Sequence, residues 1–248
     1  MCIPVQELDQ LRLAKQEAEA SSEAKTVFLA KVGHELKGPL NAIVGLAELI
    51  RMSRRREPQA AALDGWVDQI SRIGWHMSEV IDTLMELGPC GAGRLRCEAE
   101  SFEVLDPLAE AIGIVEQQAL QRGIVIAVHD DLGAQVRADR RALRQVFVNL
   151  LSNAVKFNRE YGTVHVSVRE GARVQVSVRD SGPGLTREQI ARLFQPFERL
   201  GAEHRGIAGH GLGLAVCREL VAAMRGSIDV VSDAGSGCTF TVALPNVA

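Results

Sequence analysis

A histidine, two asparagines, an aspartate and a set of glycines are the residues of this chain whose types and spacing suggest chemistry. His34 lies within Phe28–Ile50, where Phe28, Val32, Leu36, Leu40, Ile43, Ala47 and Ile50 recur in steps of three or four. That spacing predicts one apolar stripe on an α-helix. His34 is two positions from both Val32 and Leu36, about 200° round the helix from each. It therefore points away from the stripe, toward solvent or a docking partner. Pro39, inside the same pattern, removes one backbone hydrogen bond and is expected to bend the helix. Taken alone, an exposed histidine beside Glu35 is most simply an ordinary surface residue.

Four further motifs follow. Asn149, Asn153 and Lys156 are spaced four and three, so they share one face of a helix predicted over 140–157. Amide carbonyls are hard oxygen ligands suited to Mg²⁺, although surface asparagine is the plainer reading of this motif by itself. Asp180, Gly182 and Gly184 follow a strand; the glycines allow a tight turn and close approach to a ligand. The Asp180 carboxylate is an acceptor for an amine such as the adenine amino group. Phe194 and Phe197, three apart, would by themselves be core residues. Gly209, His210, Gly211, Leu212 and Gly213 open a helix, whose N-terminal N–H groups and dipole suit phosphate. No Lys-Ser/Thr pair follows these glycines, and no first strand precedes them, so neither a P-loop nor a dinucleotide fingerprint is present. Residues 199–208 contain two glycines, carry the polar Arg199, Glu203, His204 and Arg205, and lack periodicity, the composition of a mobile lid.

In this order the motifs resemble the sensor histidine kinases of two-component signalling, over nearly the whole chain. FLAKVGHELKGPLNAI is similar to the H-box, NLLSNAVKF to the N-box, and DSGPG, LFQPFER and GHGLGL to the G1, F and G2 boxes; GSGCTF resembles the last glycine motif. The resemblance implies that His34 is the phosphoacceptor, attacking the γ-phosphate of ATP, with Glu35 orienting the imidazole or taking its other proton. It implies that Asn153 holds Mg²⁺, with Asn149 and Lys156 near the phosphates and Phe157 against the adenine. Asp180 would bind the adenine amino group, and Gly182 and Gly184 would shape its pocket. Gly209, His210, Gly211, Leu212 and Gly213 would line the phosphate side, with Arg199 and Thr239 as further nucleotide contacts. A homodimer and the receiver domain of a response regulator are the implied partners, with a sensor domain expected N-terminal to the chain.

The elements that must position these groups can be read from the same pattern. Leu63, Trp66, Ile70, Ile73, Met77, Val80, Leu84 and Leu87 form a heptad seam of over three heptads. The turn at 53–59 makes an antiparallel hairpin of the two helices. Val67 and Ile81 widen the stripe beyond what two helices can cover, which calls for a homodimeric four-helix bundle. Trp66 and Met77, at core spacing, are read as packing residues. Gly88, Pro89, Gly91 and Gly93 then break all periodicity. Beyond them come a helix over 106–121, strand-like runs at 124–128 and 134–137, the helix at 140–157, and a hairpin of 164–168 with 174–178. A helix near 212–224 and strands near 227–231 and 238–243 complete the pattern. The expected fold class is an all-α antiparallel helical hairpin dimerising into a four-helix bundle, followed by an α+β sandwich that binds ATP, of the gyrase-like type. The expected divisions are a linker helix at 1–25, the dimerisation and phosphotransfer hairpin at 26–88, a linker at 89–96 and the catalytic domain at 97–248.

Bulk properties agree. At 248 residues, 46% apolar, 24% charged and a formal charge of −3, the chain is an ordinary globular one with no basic surface for nucleic acid. The Arg54-Arg55-Arg56 run decorates a loop. Cys2, Cys90, Cys97, Cys217 and Cys238 are odd in number and lack metal-ligand spacing, which points to a reducing cytoplasm rather than disulfides or zinc. No apolar run is long enough to span a bilayer, and no signal peptide is evident.

Four positions depart from the family pattern; among them His210 replaces a common Thr and Cys238 a common Ser. Gly33 and Gly38 stand where Ser and Thr or Asn are usual. Gly38 has no side chain to position water, so phosphatase action on the response regulator is not expected in its usual form. Each glycine costs about 1 kcal/mol of helix stability relative to Ala, predicting a helix that bends readily near His34. The alternatives are a degenerate nucleotide-sensing module without autokinase activity and a gyrase- or chaperone-type ATPase. The intact His34, Asn153, Asp180 and glycine set argues against the first, and the helical hairpin has no place in the second.

Overall fold

A computed structural model describes residues 33, 36–38, 40–52, 63, 65–67, 69–70, 73–74, 98–130, 133–201 and 211–247. The chain divides into two compact units, Met1–Asp82 and Thr83–Ala248, and each is described by itself. His34, Glu35 and Pro39, the predicted kink, the 89–96 linker and the seam beyond Ile73 lie outside the described residues.

In the first unit residues 40–52 are helical (α1), as are the described residues between 63 and 74 (α2). Leu63, Trp66, Ile70 and Ile73 are half-buried, as their spacing predicts. The predicted stripe of α1 divides in two: Leu36, Ile43 and Ile50 are half-buried together with Leu46, whereas Leu40 and Ala47 are exposed. Leu40 and Val44, one turn apart, keep 49% and 50% of their surface, and Val67 on α2 keeps 51%. The reason is width. The apolar residues of α1 cover a broader arc than the half-buried set uses, and the remainder stays open.

The second unit begins with β1 (Glu100–Glu103), α3 (Leu105–Gln121), β2 (Val125–Asp130) and β3 (Gln135–Ala138). There follow α4 (Arg140–Lys156), β4 (Thr163–Arg169), β5 (Arg173–Asp180), α5 (Arg187–Arg192), α6 (Gly213–Ala223), β6 (Ser227–Ser232) and β7 (Cys238–Pro245). Five strands form one mixed sheet in the order β2-β4-β5-β7-β6, and β1 pairs with β3 alone. β2 runs parallel to β4; the other neighbours are antiparallel. Strict alternation buries Val164, Val166 and Val168 of β4 and Val174, Val176 and Val178 of β5 on one face. There they pack into one core with Leu108, Leu143, Phe147, Leu150, Leu151, Val216 and Leu220 from α3, α4 and α6. On the opposite face the residues of β4 and β5 are polar, and the Ser177 and Thr241 hydroxyls meet at 3.0 Å. This is the expected α+β sandwich of helices on one side of a mixed sheet.

α4, which carries three of the predicted site residues, is held at both ends. Asp139 caps its start by accepting a hydrogen bond from the Ala142 N–H at 3.0 Å. At its other end the Arg122 guanidinium, from the turn after α3, donates to the carbonyls of Val155, Lys156 (2.7 Å) and Asn158 (2.8 Å). A cation at a helix C-terminus satisfies carbonyls that have no intrahelical partner and opposes the negative end of the dipole. Arg122→Ala is expected to lower stability by about 1.5–3 kcal/mol, the range for hydrogen bonds to a charged group. Denaturant unfolding of the variant measures this, and an unchanged midpoint would show that the cap carries no stability. β1 and α5 went unpredicted. In β1 only Phe102 is apolar, too little for a pattern, and α5 spans only 6 residues set by a capping box between Thr186 and Gln189.

Candidate functional site

Three loops and two helix ends meet where the predicted site residues lie. Asn149, Asn153 and Lys156 are all half-buried on one face of α4. The Asn149 amide donates to the Gly213 carbonyl at 3.4 Å, which sets this face against the first turn of α6. The Asn153 side chain has no hydrogen-bond partner among the described residues. Phe157 forms the C-cap of α4 and is half-buried.

Asp180, the last residue of β5, is 7% exposed; it and Asn158 are the buried polar residues among those described. Its Oδ1 accepts from the Gly182 N–H at 2.8 Å and the Cys238 N–H at 3.3 Å, while Oδ2 accepts nothing among the described residues. Burial raises its pKa from the ordinary carboxylate value, and hydrogen bonds from the Gly182 and Cys238 N–H groups and its own N–H partly offset that. A buried carboxylate with one oxygen engaged and the other open is a site for a hydrogen-bond donor.

Backbone approach then explains the glycines. A Cβ on Gly182 would come within 2.8 Å of both Asp180 Oδ1 and the Phe157 carbonyl. Gly184, at φ +69, would place one against the Asp233 carbonyl, and Gly237, at φ +79, against the Asp180 carbonyl. The loop after β5 and the turn between β6 and β7 thus interlock through positions only glycine fits. Ser232 ties the same two segments, accepting from the Leu185 N–H at 2.9 Å and donating to the Gly237 carbonyl at 2.7 Å. The Gly235 N–H donates to the Pro183 carbonyl at 2.6 Å.

On the opposite side, Gly211 (φ +69) accepts from the Phe197 N–H at 2.9 Å, which joins the segment of Arg199 to the start of α6. Arg199 is half-buried. Leu212 is 1% exposed and is the N-cap of α6, with no side-chain cap on the helix. It packs in the interior and presents the first N–H groups of α6 through its backbone. Gly209 and His210 lie outside the described residues.

Thr239 lies on the sheet face away from Asp180. Alternation along β7 puts Thr239 on the polar face of the sheet, opposite Arg179 of β5, while Cys238 faces Asp180 and Ser232. The thiol, 3.3 Å from the Ser232 hydroxyl, is pushed up in pKa by burial and by the Asp180 charge. Strand parity, counted back from the buried Phe240, is the signal that distinguishes the two. Asn158, Ser181 and Arg122 were not anticipated at all.

Residues 138–248 match the family of histidine kinase-, DNA gyrase B- and HSP90-like ATPases, and residues 24–89 match the His Kinase A phospho-acceptor domain. CikA, a circadian input-output histidine kinase of Synechococcus elongatus, is 35% identical over 240 residues, 92% of this chain and 31% of that protein. The chain spans less than half the length of the curated relatives it matches. Among solved structures, full-length ShkA in complex with AMPPNP is 28% identical with a TM-score of 0.67, covering 88% of this chain and 45% of that one. Histidine kinase ThkA in complex with the response regulator TrrA is 22% identical with a TM-score of 0.71, covering 99% and 68%, a likeness of fold.

Proposed function

Because the chain belongs to the sensor histidine kinases, we propose that it is an ATP-dependent autokinase that phosphorylates His34 and passes the phosphoryl group to an aspartate of a response regulator. The observation that carries this reading is Asp180: buried, fixed through one oxygen by two backbone N–H groups, and open at the other. That oxygen would accept from the adenine amino group, with Phe157 against the ring and Gly182 and Gly184 shaping the pocket. Asn149, Lys156, Arg199 and the N–H groups of Gly211, Leu212 and Gly213 leading into α6, preceded by Gly209 and His210, would meet the phosphates.

Asn153 fits Mg²⁺: its amide is half-buried and unpaired among the described residues, on the face shared with Asn149 and Lys156, and a carbonyl oxygen is the ligand type that ion takes. When bound, Mg²⁺ neutralises charge on the β- and γ-phosphates. A ring nitrogen of neutral His34 forms the N–P bond as the bond from phosphorus to the ADP oxygen breaks, and Glu35 orients the imidazole or takes its other proton. Catalysis then rests on in-line positioning and charge stabilisation.

The division of labour follows the expected bounds, with a dimerisation and phosphotransfer hairpin at 26–88 and a catalytic domain at 97–248. The open apolar positions Leu40, Val44 and Val67 support a second copy completing a four-helix bundle. Val44→Glu is expected to weaken self-association at least roughly tenfold, because a buried unpaired carboxylate is costly, and light scattering against concentration reads it. The response regulator docks through its receiver domain at the hairpin that carries His34. No helix among the described residues is long and apolar enough to cross a membrane. Incubation with Mg²⁺ and γ-labelled ATP tests the whole reading. Acid-labile, base-stable label on the protein is the expected result; steady phosphate release without labelled protein would replace the kinase by an ATPase.

A further inference from the structure

We infer that Asn158 is a positioning residue that sets the separation between the two walls of the nucleotide pocket, acting through Ser181. This rests on the nucleotide reading above. One wall is the end of α4, with Asn153 and Phe157; the other is the loop after β5, with Asp180 and Gly182. Asn158 follows Phe157 directly and is 6% exposed. A buried amide is costly unless satisfied, and this one is used at both ends. Its Oδ1 accepts from the Arg159 N–H and from the Ser181 hydroxyl, both at 3.0 Å. Its Nδ2 donates to the Thr163 carbonyl at 3.1 Å. Ser181 in turn accepts from the Thr163 N–H at 2.9 Å and donates its own N–H to the Thr163 carbonyl at 3.1 Å. The α4 terminus, the first residue of β4 five residues on, and the loop after β5, 23 residues on, therefore meet at one side chain.

The surroundings leave this clamp little freedom. A Cβ on Gly162 would overlap Asn158 Oδ1 and lie 2.8 Å from the Ser181 hydroxyl. Arg122 holds the Asn158 carbonyl from behind at 2.8 Å. The Phe157 carbonyl faces Gly182 so closely that a Cβ there would stand 2.8 Å from it. Ser181 lies between Asp180 and Gly182, so the Asn158–Ser181 bond fixes the carboxylate relative to Phe157 and Asn153. Neither Asn158 nor Ser181 is assigned a ligand contact; both act through their neighbours. A pocket wall held in its binding position costs less to order when the ligand arrives, so loosening it lowers affinity.

The test uses the full chain and a non-hydrolysable ATP analogue with Mg²⁺, titrated calorimetrically, alongside the labelling rate at saturating ATP. Ser181→Ala removes the direct Asn158–Ser181 bond and the acceptor of the Thr163 N–H, and leaves the two bonds to the Thr163 carbonyl. It is expected to weaken analogue binding roughly tenfold while changing the saturated labelling rate by less than about twofold, a split a general loss of structure does not produce. Ser181→Thr keeps the hydroxyl and is expected to restore wild-type affinity. Asn158→Ala is expected to weaken binding at least as much, and its thermal melt establishes that it folds; if it does not, the Ser181 pair decides. Wild-type affinity in Ser181→Ala, or equal loss in Ser181→Thr, overturns the clamp while leaving the nucleotide reading intact. Absence of analogue binding by the wild-type chain overturns the nucleotide reading and the clamp with it.

Discussion

Asp180→Asn is expected to weaken nucleotide binding about 100-fold with the fold intact. Asparagine has the same shape, and its Oδ1 can still accept from the Gly182 and Cys238 N–H groups. That leaves Nδ2, a donor, where the free carboxylate oxygen stood, facing the amino group it is proposed to bind. One charge-assisted bond is lost and two donors are opposed, a cost of about 3 kcal/mol, which corresponds to roughly two factors of ten in affinity. Calorimetric titration measures it, and affinity within about threefold of wild type would remove Asp180 from base recognition.

The same residue makes a pH prediction whose sign is set by its environment. Burial raises the Asp180 pKa in the folded chain, so the unliganded fold gains stability from this group below the unfolded carboxylate pKa. That gain is lost as pH rises through the raised folded value. Asn carries no such charge, so the variant should unfold with less pH dependence across that acid window and be no less stable at neutral pH. Nucleotide binding runs the other way: affinity of the wild type should weaken as pH falls through the raised pKa, because a proton then occupies the acceptor. A flat wild-type profile there would contradict the assignment.

His34→Gln is expected to abolish protein labelling while leaving nucleotide affinity unchanged. No other side chain of the H-box offers a neutral nitrogen nucleophile near pH 7, and glutamine preserves size and polarity without supplying one. Glu35→Gln is expected to reduce labelling by about 10²–10⁴-fold if Glu35 accepts the proton in the transition state. Label persisting in His34→Gln at the wild-type rate would move the phosphoacceptor elsewhere. Separate readouts of labelling and of analogue binding keep this result independent of the Asp180 one.

Most of the second unit was legible because its signals are local. Alternating valines in β4 and β5 specify both strand and buried face, and Asp139 before an apolar 3.6-residue pattern starts α4 where expected. The site motifs were legible for the same reason: Asn149, Asn153 and Lys156 share a face by spacing alone. What spacing could not resolve was which neighbouring residue faces Asp180. Cys238 rather than Thr239 does so because β7 is anchored by the burial of Phe240, a fact of packing. Likewise the α1 stripe could be read as apolar but not divided into half-buried and exposed halves, since that depends on what lies against it.

By itself the sequence determined the order of the longer elements, the motifs and therefore the family, because helical and strand periodicity and glycine placement are properties of short stretches. Only the tertiary structure decided how those stretches hold one another. Arg122 reaches the end of α4 across 33 to 36 residues, and Cys238 reaches Asp180 across 58. Asn158 joins Ser181 across 23. Such bonds satisfy buried polar groups wherever folding happens to bring them, so no periodicity announces them, and they are what hold Asp180 in place relative to α4.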